Sequence, residues 1–267
     1  MHTILVTGGT GHLGRDLVKQ LTAQRRPVRV LARTPGRDPG VEWAQGDLAT
    51  GAGLAEAVAG VQTVIHAATL SPIARRGSMR LIDLFRSPST VDVDGTHRLL
   101  QAAERAAVEH FVHVSIVGLE HGSGLPYMRI KLAGEDLVRQ SALPWSVVRA
   151  TPFYYLVEPT LAGLRWLPIW PLPDVPFQPV DTPDVAAYLI ECLDDGKRGV
   201  REEIGGPEVL SFIAIARQYQ QACGLHQPIV RTPLPKAILR NLRATGITEA
   251  HGRRGAKTWA SWLREHP

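Results

Sequence analysis

The sequence predicts an α/β protein, in which a doubly wound parallel sheet is followed by a smaller C-terminal lobe packed on it. Strand-like apolar runs alternate with helical stripes over residues 1–151, a pattern typical of a parallel sheet with helices on both faces. A glycine-rich turn joins the first run to the first helix. After Pro152 the sequence becomes rich in proline and aromatic residues. Residues 1–151 are therefore interpreted as one domain, and residues 152–267 as a substrate lobe with a basic helical tail.

Six strands are expected in the first domain, each an apolar or β-branched run. In chain order they are HTILVTG, PVRVLAR, the weaker VEWAQGD, VQTVIHAAT, HFVHVSIVG and WSVVRATPF. Helices are predicted between them from helix formers and apolar stripes, in GHLGRDLVKQLTAQ, LAEAVAG, THRLLQAAERAA and RIKLAGEDLVRQSA. In the first helix, Leu13, Leu17 and Leu21 lie four residues apart, as on one buried face.

The C-terminal part is expected to be rich in loops. Residues 152–183 contain eight prolines and several aromatic residues, which disfavours core helices and central strands. We expect a substrate lobe or lid here. TPDVAAYLIECLDD is predicted to form a helix with Thr182 as N-cap and Pro183 at its first position. A further helix is expected from Ser211.

Composition limits the class of protein. The chain has 267 residues, of which 44% are hydrophobic and 21% charged, enough for a sizeable core and unlike a disordered chain. Its two cysteines, Cys192 and Cys223, cannot form a disulfide framework and lack metal-ligand spacing, so no metal is expected. The first strand begins almost at once, and no apolar run reaches about 18 residues. We therefore expect a cytoplasmic protein without signal peptide or membrane span.

The net charge of +5 is unevenly distributed. From Arg231 to the end there are eight Lys/Arg and two Asp/Glu, so this tail carries +6 and the other residues about −1. A basic tail can bind nucleic acid. A solvated helical tail on a nucleotide-binding enzyme is favoured instead, because Trp259 and Trp262 are spaced as on one buried helix face.

The stretch TGGTGHLG fits two spacing rules. Gly9, Gly11 and Gly14 give G-x-G-x-x-G, whereas Gly8, Gly11 and Gly14 give G-x-x-G-x-x-G. Between a strand and a helix, either rule predicts a Rossmann-type dinucleotide site, because glycines let the backbone approach a pyrophosphate at the helix N-terminus. The alternative is an ordinary turn with spare glycines.

Arg33 at the end of the second strand bears on the choice of nucleotide. An acidic residue there would bind the ribose 2′-hydroxyl of NAD, but the strand ends VLARTPGR. A guanidinium can instead pair with a 2′-phosphate. NADP(H) is therefore predicted over NAD(H), with Arg37 as a second partner; the alternative is that Arg33 is simply exposed. Asp47 could accept a hydrogen bond from the adenine amino group, or be a helix N-terminal acid.

Eight motifs follow one another along the chain: TGGTGHLG, LAR, GDL, VIHAAT, VDVDGTHRLLQAA, HFVHVSIVG, PYMRIKLAGEDLV and LPWSVVRATPF. In this order they resemble the short-chain dehydrogenase/reductase superfamily, and most of all its atypical and extended NAD(P)-binding members, including the NmrA-like group. FQPVDTPDVA and IGGPEVLSF extend the resemblance to about Gly206.

The resemblance implies a cofactor site. It favours the spacing Gly8, Gly11 and Gly14. It also implies which residues contact the adenine, which residues of the loop after the fourth strand line the cofactor, and which residue contacts the nicotinamide side. The implied cofactor-binding residues are Gly8, Thr10, Gly11, His12, Leu13, Gly14, Arg33, Asp47, Leu48, Ala67, Ala68, Thr69, Lys131 and Phe153.

Tyr127 and Lys131 match the superfamily's catalytic Y-x-x-x-K, and the i, i+4 spacing places them on one helix face. The resemblance implies that the ammonium lowers the pKa of the tyrosine and binds the nicotinamide ribose. The tyrosine would then exchange a proton with the substrate oxygen while the cofactor carries the hydride. The catalytic serine corresponds to Ser115 or to Ile116, and the latter would leave the triad incomplete.

Two features depart from the superfamily pattern. Asp92 stands where many members carry asparagine, and Pro126 places Tyr127 at the very start of its helix. Tyr127 could therefore line the site without acting as the acid, and the pair with Lys131 could be a surface pair only.

The expected function is that of an NADP(H)-dependent oxidoreductase acting on a small apolar carbonyl, enone or quinone. The lobe's aromatic residues, expected to roof the nicotinamide, suggest an apolar substrate: Phe153, Tyr154, Tyr155, Trp166, Trp170 and Phe177. The alternative is a non-catalytic NADP(H)-sensing regulatory protein of NmrA-like type. A small-molecule substrate is the expected partner, and the chain could be a monomer or a homodimer.

Overall fold

The computed structural model describes residues 2–69, 89–119, 126–196, 198–234 and 250–266. Its strands are, in chain order, β1 Ile4–Thr7, β2 Val28–Ala32, β3 Val41–Gln45, β4 Thr63–His66, β5 His110–Ile116, β6 Trp145–Ala150, β7 Trp170–Leu172, β8 Pro176–Phe177, β9 Gly199–Val200, β10 Ile204–Gly205, β11 Leu210–Ser211, β12 Ile229–Arg231 and β13 Arg253–Arg254. Its helices are α1 His12–Ala23, α2 Leu54–Val58, α3 Asp94–Arg105, α4 Pro126–Gln140, α5 Tyr154–Ala162, α6 Thr182–Asp194, α7 Phe212–Ala222 and α8 Trp259–Glu265.

The main sheet has the predicted doubly wound, parallel architecture. Its strand order is β13-β10-β6-β5-β4-β1-β2-β3, with β9 pairing on β6, and every pairing is parallel. All six strands predicted from the sequence form and are neighbours in this sheet. The chain order reverses between β1 and β4, and the carboxyl ends of strands at such a switch point are where ligands bind in open α/β sheets.

Helices cover both faces of the sheet. On one face α1 packs against α6, and the predicted stripe of Leu13, Leu17 and Leu21 is buried there. On the other face, α2, α3 and α4 bury a second apolar cluster around Phe111. A third cluster, around Trp170, holds together the C-terminal lobe formed by α5, α7 and α8.

The C-terminal half also contributes to the sheet. Helix α6 belongs to the layer beside α1, and β9, β10 and β13 extend the sheet beyond β6. The tail is fastened to this unit by ion pairs from Arg253 to Glu191 and from Lys257 to Asp181. Within the described ranges, no helix is long and apolar enough to cross a membrane.

Two local predictions for this half are wrong. The N-cap of α6 is Asp181, not Thr182, because the Asp181 carboxylate accepts a hydrogen bond from the Thr182 backbone N–H. The proline-rich stretch also contains a nine-residue helix, α5, with Pro159 inside it. Burial of Tyr154, Val157 and Leu161 against the lobe outweighs the poor helix propensity.

The predicted tryptophan face in the tail is confirmed. Trp259 and Trp262 lie on α8, stack at 5.3 Å between ring centroids and are buried in the lobe. The helix expected from Ser211 also forms, with the Ser211 hydroxyl accepting the Ala214 N–H as N-cap.

Two buried histidines face each other from adjacent strands. His66 and His113 are register partners on β4 and β5, with ring centroids 5.4 Å apart. His66 Nε2 is hydrogen-bonded to Thr96 Oγ1, which itself donates to the Asp92 carbonyl. Thr96 must therefore accept from His66, which fixes the neutral Nε2–H tautomer and leaves Nδ1 to accept from Thr7. His66 is therefore buried with both ring nitrogens hydrogen-bonded.

Burial lowers the pKa of both rings to about 3, helped at His66 by the neighbouring His113 and at His113 by Lys131. The folded protein therefore keeps both histidines neutral, whereas the unfolded chain binds protons below about pH 6.5. Their contribution to the free energy of unfolding is complete above about pH 6.5 and is lost as the pH falls towards 3.

We predict that His113→Phe reduces the pH dependence of stability. One proton fewer is taken up on unfolding, so the slope of the unfolding free energy between pH 6 and 4 should fall by about 1.4 kcal/mol per pH unit. Urea unfolding at a series of pH values measures it. The exposed His97→Asn is the control and should keep the wild-type slope. An unchanged slope in His113→Phe would contradict the prediction.

Candidate functional site

The glycine turn lies at the switch point of the sheet. Gly8 follows β1 with φ +76°, in the left-handed region that favours glycine. A Cβ at Gly8 would lie 2.7 Å from the Ala68 backbone nitrogen and 2.8 Å from the Ala67 carbonyl oxygen. The turn is therefore pressed against the loop that follows β4, and no side chain fits between them.

Helix α1 starts immediately after this turn. A Cβ at Gly14 would collide with the Gly8 carbonyl oxygen, so this glycine, which both spacings share, lets the helix approach the turn. The two spacings differ at Gly8, which has a positive φ and lies against backbone, and at Gly9, which lies against the Val30 side chain. Gly11 is the N-cap, without a capping side chain, and the first turn of α1 carries no acidic residue. Its free N–H groups and positive dipole end fit a pyrophosphate.

The turn's other predicted contacts differ in exposure. Thr10 and His12 are exposed on the turn, whereas Leu13 is buried and packs into the core. Their backbone groups, rather than the Leu13 side chain, are available to a dinucleotide. Their role as cofactor contacts stays a prediction.

The predicted adenine-side residues lie at the end of β3. Asp47 is half-buried and its Oδ1 accepts the Ala49 N–H at 2.9 Å, so the side chain shapes its own turn. Leu48 is buried in the second core cluster. The position beside the carboxyl end of the sheet fits an adenine pocket, and contact with adenine stays a prediction.

Arg33 follows the last residue of β2 and is exposed, as is Arg37 in the next turn. Neither has an ion-pair partner among the described residues. The loop that carries them folds over Trp43, whose ring lies under Gly36. Both guanidinium groups can therefore reach an anion beyond the end of β2.

Lys131 is buried and bound on two sides. Its Nζ donates to Asp92 Oδ1 and to Thr69 Oγ1, each at 2.6 Å, and the Thr69 hydroxyl donates to Asp92 Oδ1, also at 2.6 Å. The side chains of Lys131 and Asp92 are 8% and 9% exposed. An ammonium has three N–H donors, so one remains for a further acceptor such as a ribose hydroxyl. We call these three residues the Asp92–Lys131–Thr69 cluster.

The charges in this cluster stabilise each other. Burial opposes the positive charge of Lys131, but the paired Asp92 carboxylate more than offsets this and raises the lysine's pKa. Lys131 is therefore an ammonium at neutral pH, held by a carboxylate at hydrogen-bond distance.

Tyr127 is the second residue of α4, which begins at Pro126 as predicted. Lys131 Nζ lies 5.9 Å from the centre of its ring, so the two share a helix face. Burial raises the pKa of Tyr127; Lys131 acts in the opposite direction and Asp92 in the same one. Lys131 lowers the pKa of Tyr127, as expected. Burial raises this pKa by more, so the expected net lowering does not occur.

Ser115 is buried on β5, and its hydroxyl has no partner among the described residues. It points to the same face of the sheet as His113, two residues earlier on the strand. Both ring nitrogens of His113 also lack a partner there. No hydrogen bond joins Ser115 to Tyr127 or Lys131 within the described ranges, so its catalytic role stays a prediction.

Two aromatic residues of the lobe reach the glycine turn. Tyr155 stacks on His12 with ring centroids 4.1 Å apart, and Phe153 stacks on Tyr155 at 5.5 Å. Tyr155 is half-buried, and the loss of water contact raises its pKa to about 12, with a further contribution from Tyr127. The two stacked rings form an aromatic wall beside the glycine turn.

The other aromatic residues predicted to roof the site lie elsewhere. Tyr154 and Trp170 are buried in the lobe core, and Phe177 packs on Phe212. Trp166 is 79% exposed. The prediction of a six-residue roof is therefore wrong for these four, because Tyr154, Trp170 and Phe177 pack within the lobe and Trp166 faces solvent.

Two contacts of the site, Asp92 with Lys131 and Tyr155 with His12, do not follow from the sequence motifs. Asp92 departs from the usual asparagine of the motif, and in the structure it pairs with Lys131. The stacking of Tyr155 on His12 joins residues 143 positions apart. The acid in VDVDGT was the available signal for the first contact, and nothing in the sequence indicated the second.

The parallel sheet and the glycine turn at its switch point define a Rossmann-type α/β fold with a dinucleotide-binding turn. The chain belongs to the NAD(P)H-binding family, whose sequence model matches residues 8–196. The resemblance to the superfamily is thereby confirmed.

Curated relatives differ in their described roles. The chain is 31% identical over 201 residues to Photosystem II assembly factor Ycf39 of Trieres chinensis, covering 72% of this chain and 59% of that protein. It is 32% identical over 228 residues to divinyl chlorophyllide a 8-vinyl-reductase of Oryza sativa subsp. indica, covering 77% and 54%. Sterol demethylase protein B of Methylococcus capsulatus is 28% identical over 271 residues, covering 90% and 80%. The chain thus spans little more than half the length of the first two.

Solved structures share the fold. A short-chain dehydrogenase/reductase superfamily protein of Agrobacterium tumefaciens with bound NAD has a TM-score of 0.74 at 24% identity, covering 99% of this chain and 95% of that one. A nucleoside-diphosphate-sugar epimerase of Staphylococcus aureus has a TM-score of 0.76 at 19% identity, covering 99% and 100%.

We predict that Gly8→Ala weakens dinucleotide binding at least tenfold, since the added Cβ must push the turn away from Ala67 and Ala68. Calorimetric titration with NADPH and NADH measures it. Gly60→Ala is the matched control: its φ is +70°, but a Cβ there meets nothing within 4 Å. Gly60→Ala should lose about 1 kcal/mol of stability from the left-handed backbone, Gly8→Ala should lose more because its Cβ also meets backbone, and only Gly8→Ala should lose binding. Equal affinities in the two variants would contradict this.

Proposed function

We propose that the protein is an NADP(H)-dependent oxidoreductase that transfers a hydride between the cofactor and a small apolar carbonyl, enone or quinone. The observation that carries this proposal is the position of the Tyr127–Lys131 helix face. It lies beside the loop that follows β4, since Lys131 is hydrogen-bonded to Thr69 of that loop. That loop contacts the glycine turn, so a proton donor and a dinucleotide cradle meet at one end of the sheet.

The residues have separate tasks in this proposal. The glycine turn and the start of α1 hold the pyrophosphate, and the remaining N–H donor of Lys131 holds a ribose hydroxyl. The bound nicotinamide supplies or accepts the hydride. Tyr127 gives its phenolic proton to the substrate oxygen. The Asp92–Lys131–Thr69 cluster keeps the lysine in place.

The preference for NADP(H) rests on Arg33 and Arg37. Both are exposed beyond the end of β2, where a ribose 2′-phosphate would lie, and this end of the strand carries no acid. A guanidinium binds phosphate bidentately.

An apolar substrate is supported by the wall of Phe153 and Tyr155. Stacked rings offer a flat apolar surface to a conjugated carbonyl compound or quinone. The wall contains the neutral Tyr155 hydroxyl and no carboxylate, which also favours an uncharged substrate.

A second candidate is a non-catalytic, NADP(H)-sensing regulatory protein. One observation favours it: Lys131 is already paired with Asp92, which weakens its influence on Tyr127. A relative named as an assembly factor supports the same alternative. Tight NADPH binding without turnover of any compound in a carbonyl panel would favour this candidate.

We predict that Arg33→Gln weakens NADPH binding about tenfold or more and leaves NADH binding within about twofold, because only NADPH loses a charged phosphate contact. Calorimetric titration with both cofactors measures it. Arg105→Gln removes an exposed arginine at the C-terminal end of α3 and is the control for net charge. Tighter binding of NADH than of NADPH by the wild type would overturn the preference.

We predict that Tyr127→Phe lowers kcat at least 100-fold while NADPH binding is retained, because only the proton donor is lost. The assay follows NADPH absorbance with a panel of benzoquinone, cinnamaldehyde and cyclohexenone. Tyr188→Phe is the control, since its hydroxyl donates to the Glu202 carbonyl away from this site. Intact turnover in Tyr127→Phe would remove the tyrosine from the mechanism.

A further inference from the structure

The Asp92–Lys131–Thr69 cluster places a carboxylate next to the lysine that faces Tyr127. Asp92 Oδ1 lies 2.6 Å from Lys131 Nζ, whereas the centre of the Tyr127 ring is 5.9 Å from the same nitrogen. Asp92 lies in the turn before α3 and is tied to Lys131 and Thr69, whereas Lys131 and Tyr127 lie on α4. The negative charge is therefore a fixed part of the surroundings of Tyr127.

A lone ammonium beside a phenol stabilises the phenolate, because the two charges attract. Among the described residues, the Asp92 carboxylate is the charge nearest to the Lys131 ammonium. At the position of Tyr127 the two opposite charges partly cancel. The ion pair is buried, so water screens it little, and the carboxylate acts on the phenol in the direction opposite to the lysine.

We propose that Asp92 is a positioning residue which, by pairing with Lys131, keeps Tyr127 as a neutral phenol, so that the site donates a proton in carbonyl reduction and is a poor base for alcohol oxidation. This inference rests on the proposed oxidoreductase function and adds the direction of the reaction, which is carbonyl reduction.

The reduction balances with this assignment. The substrate carbon gains a hydride from the reduced nicotinamide dinucleotide, and the electron pair of the C–O π bond moves to the oxygen. The O–H bond of Tyr127 breaks, its proton goes to that oxygen, and the tyrosine regains a proton from solvent. Oxidation needs the reverse proton flow, which requires a Tyr127 phenolate before the reaction starts.

The other titratable groups near the site are compatible with this. Tyr155 faces Tyr127 from α5 as a neutral phenol. His113, on β5, faces the Asp92–Lys131 pair and is neutral, since burial lowers its pKa to about 3. His66 on β4 is neutral for the same reason. Among the described residues, Lys131 and Asp92 are thus the charges that act on Tyr127.

The test is the titration of Tyr127 in the cofactor-free protein. The chain has five tyrosines, and ¹³C NMR of the ring-labelled protein, with Tyr127→Phe to assign the signal, follows each phenol. In the wild type, Tyr127 should titrate above its ordinary value of about 10. In Asp92→Asn its midpoint should fall by about 1 pH unit, because Lys131 is left unpaired.

Two further variants separate charge from damage to the fold. Asp94→Asn removes an exposed acid at the first residue of α3, two positions after Asp92, and should leave the Tyr127 midpoint unchanged. Asp92→Asn combined with Lys131→Met removes both charges, so the midpoint should return to the wild-type value or above it. Thermal unfolding of each variant confirms that it is folded. An equal midpoint in the wild type and folded Asp92→Asn overturns the proposal.

The two proposals fail in different ways. If Asp92→Asn lowers the midpoint but no carbonyl compound is reduced by the wild type, the electrostatic role stands and the oxidoreductase function fails. If the wild type reduces a carbonyl compound but the midpoint does not move, the function stands and the role of Asp92 fails.

Discussion

The site depends on one close contact, between the glycine turn after β1 and the loop after β4. Gly8 lies against the backbone of Ala67 and Ala68, and Gly14 lies against the carbonyl of Gly8. Any side chain at these points would push α1 away from the switch point of the sheet. Because the contact is made of backbone alone, it brings the N–H groups of the first turn of α1 to the end of the sheet.

A second constraint is the polar layer buried under the carboxyl ends of the strands. His66 links Thr7 to Thr96, and Lys131 links Asp92 to Thr69. Polar groups inside a protein are tolerated when they are hydrogen-bonded, and charges when they are paired. The two histidines are neutral, and Lys131 meets the condition by pairing with the carboxylate of Asp92. The protonation states thus follow from burial for the two histidines and from the Asp92 carboxylate for Lys131.

The C-terminal half completes the site by tertiary contacts. Its strands and α6 join the sheet unit, and its lobe core is built separately around Trp170. Among the described residues of this half, Phe153 and Tyr155 form the stacked rings beside the glycine turn, where Tyr155 stacks on His12. This side of the site is therefore aromatic, whereas Tyr154, next to Tyr155 on α5, is buried in the lobe core.

The sequence by itself determined the sheet, the glycine turn and the helix that pairs Tyr127 with Lys131, because periodicity, glycine spacing and i, i+4 spacing are local. It did not determine that α6 is capped by Asp181, that α5 forms through Pro159, or that four predicted roof residues lie away from the site. The family resemblance also implied that Lys131 lowers the pKa of Tyr127. The tertiary structure decided that this pKa is raised instead, because burial outweighs the lysine and Asp92 opposes it. Both effects come from elements that are distant in the chain, so no local sequence pattern reveals them.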